Sequence, residues 1–249
     1  MEYVVASLTT SPTRIHKIYD TLKSISSQSR RPDRIILNLP YTFARTGEQY
    51  TIPRFIEEFP RVYINWIEKD YGPVTKILPT LDLVPGNTFI WVVDDDQKYL
   101  GGELEFLLKN WRDREGVYCL SGLVSDPRMR IVDKNGEVDM FEAYAGVLFR
   151  RDMFGDDFKE YIERAIGRVE CRTSDDLMVS MYLRRRGYGI WRVGSMFVNL
   201  WLHWNMGGVL EYGHGPDALY KLPIAKSTIH RYLDALPILN QILDQVVKT

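Results

Sequence analysis

Three adjacent carboxylates, Asp94-Asp95-Asp96, are the residues of this chain with the clearest chemical potential. Adjacent carboxylates repel one another, and a single protein cation does not offset three negative charges. A divalent cation would offset them, and hard cations such as Mg²⁺ or Mn²⁺ prefer oxygen ligands. The cluster therefore predicts a metal site, and the alternative is an acidic surface turn.

The residues before this cluster predict where it lies in the fold. Residues 88 to 93 form a continuous run of apolar, aromatic and β-branched side chains. Such a run is short enough to be a strand buried on both faces, as in the parallel sheet of an α/β domain. Open α/β sheets bind their ligands at the carboxyl ends of the strands. We therefore expect the carboxylates at that edge.

Two cationic residues are candidates for binding an anion at the same edge. Arg14 ends a hydroxyl-rich loop after the first predicted strand, near the start of a helix, where anions are favoured. Lys76 lies one turn into a short helix after the third predicted strand, and a lysine there can contact a diphosphate as a point charge. The alternatives are an ordinary capped turn for Arg14 and a solvated helix lysine for Lys76.

A second acidic pair, Asp175-Asp176, follows Ser174 where the pattern predicts the start of a helix. Acidic residues stabilise helix N-termini in any case. One of the two carboxylates could instead face a cleft as a general base. His203 and His214 are candidate third metal ligands, because neutral imidazole binds metals beside carboxylates, although each is also explained as an ordinary histidine.

The remaining pattern predicts an α/β fold in which strands and helices alternate. Residues 117 to 124 read as one buried strand, and Asp133 to Gly136 predicts a β-hairpin within residues 130 to 138. Residues 224 to 247 predict helices broken at Pro237. We expect a catalytic domain over residues 1–206 and a C-terminal extension over residues 207–249, packed on the same domain.

Composition excludes several classes of protein. The 249 residues are 45% hydrophobic and 26% charged, which is typical of a globular domain. The net charge of −1 gives no general attraction to nucleic acid or anionic membranes. The two cysteines are too few for a disulfide framework. The first residues lack the basic region and apolar core that are typical of a signal peptide, and no apolar run approaches ~20 residues. We expect a cytoplasmic protein without a transmembrane segment, or one peripheral to a membrane.

The order of these features matches a known group of enzymes. Four features follow one another along the chain: a Thr-rich loop after the first strand, an alternating α/β half, Asp94-Asp95-Asp96 after an apolar strand, and Asp175-Asp176 at a helix start. The chain thereby resembles GT-A-fold glycosyltransferases, the nucleotide-sugar-dependent enzymes with a DxD motif, and is most similar to small inverting enzymes of the family-2 type. The likeness covers residues 3 to 200 and no pattern matches after Gly207.

The resemblance implies a GT-A (Rossmann-like) mixed, mainly parallel sheet flanked by helices, with a helical C-terminal tail. It also implies a UDP- or GDP-sugar as donor, Mn²⁺ or Mg²⁺ as cofactor, and a glycan, glycolipid or glycoprotein as acceptor. By the same resemblance, Thr9 and Arg14 would line the nucleotide pocket, Asp70 would face the base, and Lys76 would lie near the diphosphate.

The DxD motif of that family falls on Asp94 and Asp96, with Asp95 between them. The resemblance implies that this motif holds the ribose and the metal, and it places Asp96 ahead of Asp94 as direct metal ligand. Asp176 matches the family's catalytic base and Asp175 is the alternative, since Asp175 stands where the family often has Glu. His203 or His214 would complete the metal shell, although the spacing from His214 to Lys221 does not match the His-x-x-Gly-x-x-Lys pattern of a retaining branch.

Three other functions compete with this hypothesis. A sugar-1-phosphate nucleotidyltransferase would show a Gly-rich loop after the first strand, and residues 9 to 14 contain no glycine. A haloacid-dehalogenase-type phosphatase needs an Asp-x-Asp-x-Thr pattern, and the threonine is missing after Asp96. A non-catalytic carbohydrate-binding protein on the same fold would bind a donor without turning it over.

Overall fold

A computed structural model describes residues 2–124, 130–131, 134–194 and 228–247. Within these residues the chain builds one eight-stranded sheet and one three-stranded sheet. The strands are β1 (Val4–Thr9), β2 (Arg34–Pro40), β3 (Val62–Ile67), β4 (Phe89–Val92), β5 (Val117–Cys119), β6 (Gly122–Val124), β7 (Arg130–Ile131), β8 (Gly136–Val138), β9 (Met140–Phe141), β10 (Val147–Arg150) and β11 (Ile190–Arg192). The α-helices are α1 (Tyr19–Ser26), α2 (Leu78–Leu83), α3 (Glu103–Asp113), α4 (Asp157–Ile166), α5 (Asp175–Arg185) and α6 (Thr228–Val246), and 3₁₀ turns cover Arg54–Glu58, Gly72–Lys76, Ala143–Ala145 and Arg151–Met153.

The first half of the large sheet is parallel. The strand order is β3-β2-β1-β4-β10-β5-β11-β8, and β1 pairs in parallel with both β2 and β4. Strands β1 and β4 are apolar along nearly their whole length because helices cover both faces of the sheet. The carboxyl ends of β1 to β4 therefore meet at one edge, which confirms the mixed, mainly parallel α/β fold predicted from the sequence.

Alternate residues of each strand enter different apolar layers. On β4, Trp91 faces the layer that contains Leu22 of α1 and Leu104 of α3. Ile90 faces the opposite layer, which includes Leu78 of α2 and residues from α4, α5 and α6. This two-residue period fixes the register of the strand, since a slip by one residue would exchange the two faces.

An antiparallel strand interrupts the sheet beside the predicted site. Strand β10 lies between β4 and β5 and runs antiparallel to both. The 3₁₀ turn Ala143–Ala145 and Gly146 lead into it, with Gly146 at a φ of +85°. A Cβ at Gly146 would lie 2.8 Å from Nε1 of the buried Trp91. The apolar segment 143 to 149 thus needs its glycine for a close approach of backbone to side chain.

Three local predictions are wrong. The predicted single strand over 117 to 124 is split into β5 and β6, which belong to different sheets. The predicted hairpin over 130 to 138 does not form, because β7 pairs with β6 whereas β8 pairs with β11. Helix α6 runs through Pro237 without a break, and the proline lies on the exposed side while Leu239 and Leu243 pack against the core.

The C-terminal helix belongs to the main core. Helix α6 packs against α4 and α5, with Ala235 and Leu239 fully buried. The predicted boundary between residues 206 and 207, together with His203 and His214, lies outside the described residues. None of the helices in the described ranges has the length and apolar character needed to cross a membrane.

The close approach of Gly146 to Trp91 predicts that an alanine at position 146 destabilises the fold more than an alanine at another glycine with a positive φ. Gly47 also has a positive φ, +74°, but open space surrounds its missing Cβ. We expect Gly47→Ala to lower the free energy of unfolding by about 1–2 kcal/mol through backbone strain alone. Gly146→Ala should cost about 1–3 kcal/mol more, because the buried Trp91 must also move and because a ψ of +128° at this positive φ lies outside the left-handed helical region. Urea unfolding of both variants measures the difference, and equal losses would contradict the packing argument.

Glu103, at the start of α3, predicts a dependence of stability on pH. Burial raises the pKa of Glu103 from 4.5 to about 8. Because the unfolded state loses this proton first, the folded state binds more protons between those values, and stability falls as the pH rises through that interval. Each pH unit costs at most about 1.4 kcal/mol. Urea unfolding from pH 4 to 9 measures this decrease in the free energy of unfolding. The decrease should be absent in Glu103→Gln and present in the control Glu105→Gln, which changes an exposed residue of the same helix.

Candidate functional site

The candidate site lies at the carboxyl edge of the parallel strands. Asp94, Asp95 and Asp96 follow β4 after one residue, Val93, and Arg14 comes from the loop after β1. The 3₁₀ turn Gly72–Lys76 after β3 and the first turn of α5 supply the other charged groups. The structure thus brings together the aspartate cluster, both predicted cations and the second acidic pair.

Lys76 joins the two acidic segments. Its side chain is buried, and Nζ lies 2.7 Å from Oδ1 of Asp94 and 2.9 Å from Oδ2 of Asp175. The contact with Asp94 is a hydrogen-bonded ion pair, whereas the contact with Asp175 is close but not aligned as a hydrogen bond. Burial opposes the charge on Lys76, yet Asp175 and Asp94 raise its pKa well above the usual lysine value. Lys76 is therefore a fixed positive charge in the site.

Arg14 and Thr10 bind the rest of the aspartate cluster. Nη1 of Arg14 lies 3.0 Å from Oδ1 of Asp95 and 3.2 Å from Oδ2 of Asp96. Thr10 Oγ1 donates to the other oxygen of Asp95 at 2.6 Å. Thr9, the threonine named from the sequence, instead donates its hydroxyl to the backbone carbonyl of Asn38 at 2.8 Å. The threonine that contacts the aspartate cluster is therefore Thr10, and the interpretation of Thr9 as part of a nucleotide pocket stays a prediction.

The cluster holds more negative charge than the two cations offset. Burial, with the charge of Asp96, raises the pKa of Asp95 to about 7. Burial, followed by the charge of Asp94, also raises the pKa of Asp96. Both shifts mean that the ionised carboxylates are destabilised where they stand. A further positive charge at this edge would therefore be favoured.

Asp176 is a carboxylate at the start of α5 with one buried oxygen and a raised pKa. The residue is partly exposed, but its Oδ1 atom is buried and has no hydrogen-bond partner among the described residues. Burial and the neighbouring charge of Asp175 raise the pKa of Asp176 well above the usual aspartate value. Strongly shifted carboxyl groups in a cleft are typical of proton-transfer sites. Ser174, which precedes this helix, makes no capping hydrogen bond to it through its side chain.

Two residues that the sequence did not single out complete the walls of the site. The Tyr99 hydroxyl accepts the backbone N–H of Asp94 at 2.7 Å and donates to the Tyr144 carbonyl at 3.1 Å. Glu142 accepts a 2.6 Å hydrogen bond from Ser121, and its charge adds to the raised pKa of Asp176. The sequence carries no motif for the Tyr99–Tyr144 and Ser121–Glu142 contacts, because each joins segments that meet only after folding.

Asp70 organises a turn beside the site. Its carboxylate accepts the backbone N–H of Gly72 and that of Ala44, each at 2.8 Å. These bonds tie the loop after β2 to the turn that carries Lys76. The interpretation of Asp70 as a contact to a nucleobase stays a prediction.

The donor atoms fit a hard cation only with help from a ligand. No group of three or more His, Cys, Asp or Glu side chains forms a metal cage in the described part of the chain. The carboxylates of Asp94 and Asp96 are oxygen donors of the kind that Mg²⁺ and Mn²⁺ prefer. Magnesium commonly binds through one or two carboxylates while substrate phosphates and water complete its shell. The site therefore suits such an ion together with a phosphate-bearing ligand.

Comparison with protein-family models and with curated proteins gives no match. Among solved structures, TarS 1-349 from S. aureus in complex with UDP matches with a TM-score of 0.51 and 11% identity, over 96% of this chain and 83% of that one. A second structure of S. aureus TarS matches with a TM-score of 0.51 and 13% identity over 98% of this chain, which spans about half (49%) of that longer protein. The 4-diphosphocytidyl-2C-methyl-D-erythritol synthase of Anaerococcus prevotii gives a TM-score of 0.46 and 12% identity over 80% of this chain and 89% of that one.

The TarS matches extend over nearly the whole of this chain, at TM-scores of 0.51. At identities of 11% to 13% they bear on the fold alone. Together with the sheet topology, they confirm the fold class predicted from the sequence: a GT-A-like α/β fold.

Proposed function

We propose that this protein is a metal-dependent glycosyltransferase that moves a sugar from a nucleoside-diphosphate sugar to an acceptor hydroxyl, with inversion at the anomeric carbon. The observation that carries the proposal is the position of Lys76. It joins the aspartate cluster after β4 to the acidic start of α5 through contacts of 2.7 and 2.9 Å. One cation thereby connects the groups suited to bind a diphosphate with the groups suited to accept a proton.

The cationic side of the site suits the leaving group. Breaking the bond between sugar and nucleoside diphosphate leaves negative charge on the phosphate oxygens, which nearby cations stabilise. Among the described residues, Lys76 and Arg14 form the ion pairs with the cluster. The shared fold with TarS 1-349, whose structure contains UDP, supports a UDP-sugar as the first donor to test, with GDP-sugars as the alternative.

The acidic cluster supports a bound Mg²⁺ or Mn²⁺. The raised pKa values of Asp95 and Asp96 come from burial and mutual repulsion, which a dication would relieve. We assign Asp96 and Asp94 as its protein ligands, with the diphosphate supplying others. When bound, the metal adds positive charge where the leaving group develops negative charge. His203 and His214 remain candidate ligands.

Asp176 is the proposed base. Asp175 is already engaged with Lys76, whereas the buried Oδ1 of Asp176 has no hydrogen-bond partner within the described residues. A base must accept the proton of the acceptor hydroxyl as that oxygen attacks the sugar. A base on the acceptor side of the sugar, opposite the leaving diphosphate, makes the reaction a single displacement, which inverts the anomeric centre.

Turnover of a nucleotide sugar tests the assignment of Asp176. We expect release of UDP or GDP from one donor in a panel of nucleotide sugars with Mn²⁺. Asp176→Asn should lower kcat by about 10²–10⁴-fold, because general base catalysis contributes that much, while nucleotide affinity is retained. Asp82→Asn, a change of an exposed residue on α2, serves as the matched control. A product with retained anomeric configuration, or full activity in Asp176→Asn, would remove Asp176 from the base role.

Coupling between metal and nucleotide tests the proposed metal ligands. Thermal unfolding is followed with Mn²⁺ alone, with UDP or GDP alone, with both, and with chelator. We expect Mn²⁺ to tighten nucleotide binding by on the order of tenfold, since the two share ligands, and the nucleotide to tighten Mn²⁺ binding equally. Asp96→Asn should abolish most of this coupling. Nucleotide affinity that is the same in Mn²⁺ and in chelator would contradict the metal assignment.

A further inference from the structure

A chain of buried polar side chains runs beneath Lys76 within an otherwise apolar layer. It begins at Asn65 on β3, passes through Asn38 on β2, and reaches Thr80 on α2 and Ser7 on β1. Ser7, Asn38 and Thr80 are fully buried and Asn65 is 9% exposed. The chain ends on the backbone carbonyl oxygen of Lys76, to which Ser7 Oγ donates at 2.6 Å.

The Lys76 carbonyl depends on this donor. It lies at the junction between the 3₁₀ turn Gly72–Lys76 and helix α2. The residue three positions later, Pro79, has no N–H to donate. The next N–H, that of Thr80, donates to the carbonyl of Ile77 at 3.0 Å instead. Because a buried carbonyl without a partner is costly, the side chain of Ser7 takes over the bond that the helix does not make.

The direction of every hydrogen bond in the chain follows from this one. Ser7 has a single hydroxyl hydrogen, which goes to Lys76. The Thr80 hydroxyl, 2.6 Å from Ser7 Oγ, must therefore be the donor to Ser7. The amide nitrogen of Asn38 donates to Thr80 at 2.9 Å and to Ser7 at 3.2 Å, and that of Asn65 donates to Asn38 at 2.8 Å. Hydrogen bonds in such a chain strengthen one another and specify one arrangement.

We propose that this chain positions Lys76 for the diphosphate of the donor, and that Ser7 and Thr80 are positioning residues for nucleotide binding. The inference rests on the proposed function, because it assigns the phosphate contact to Lys76. The ammonium group of Lys76 is on a flexible stem. Fixing its backbone at the turn, together with the contacts to Asp94 and Asp175, holds the charge at the sheet edge. Apolar side chains would fill the same space, but they would leave the Lys76 carbonyl unpaired.

The test compares two buried threonines. Thr80→Val keeps the shape of the side chain and removes the donor to Ser7. Thr88→Val makes the same change at a buried threonine whose hydroxyl has no hydrogen-bond partner in the described part of the chain. Thr80→Ser retains the hydroxyl and should restore binding. Calorimetry gives the Kd of UDP and of UMP for each variant, or of GDP and GMP if the protein prefers guanine.

We expect Thr80→Val to weaken UDP binding by on the order of fivefold, as the loss of about one hydrogen bond would. UMP binding should change little, because the inference concerns the diphosphate. A general loss of packing would instead weaken both nucleotides or lower the melting temperature without changing their ratio. Thr88→Val should leave the ratio unchanged.

The variant Lys76→Met distinguishes failure of the positioning role from failure of the proposed function. If Lys76→Met removes the preference for UDP over UMP and Thr80→Val does not, the positioning role is wrong and the proposed function stands. If both variants reduce that preference, the inference is supported. If the unaltered protein binds neither diphosphate with Mn²⁺ present, the proposed function fails and the positioning role fails with it.

Discussion

Burial of carboxylates at one edge of the sheet is the constraint on which the site depends. Asp95 is only 7% exposed and Asp175 only 8% exposed, and charges so placed are costly unless they are paired. Lys76 and Arg14 provide that pairing, and both must come from elements remote in sequence from the carboxylates. The conformations of the loop after β1 and of the turn after β3 are therefore tied to the electrostatics of the cluster after β4.

The sheet supplies the geometry for this pairing. Parallel pairing of β1 with β2 and β4 brings the loops after these strands to a common edge, where Arg14 and the aspartate cluster meet. The antiparallel strand β10 then closes the site on its other side. Its entry past Gly146 lets the backbone lie against Trp91, and Tyr144 from the preceding turn contacts Tyr99, which in turn binds the backbone of Asp94.

Much of this arrangement could be predicted from the sequence because its signals are local. An apolar run that ends in Asp94-Asp95-Asp96 places the cluster at a strand end, and the cations follow strands in the same pattern. The hydrogen bond from Thr10 to Asp95 could not be predicted, since it depends on which side chain faces the cluster after the end of β1. The hairpin over 130 to 138 was predicted wrongly because its turn signal is local, whereas the pairing of β8 with β11 and of β7 with β6 is decided by distant strands.

The charge balance of the site bears on whether a nucleoside diphosphate would bind alone or together with a divalent cation. Both cations are already paired with carboxylates, at 2.7 to 3.2 Å. A free nucleoside diphosphate would bring further negative charge to an edge where carboxylates outnumber the described cations, and it would have to compete for Lys76 and Arg14. A diphosphate that arrives with a divalent cation brings its own compensation, and the metal can then accept oxygens from Asp94 and Asp96. Under the proposed function, this charge balance favours binding of metal and nucleotide as one complex, and the proposed role of the buried polar chain beneath Lys76 is to keep the protein's own cation in place.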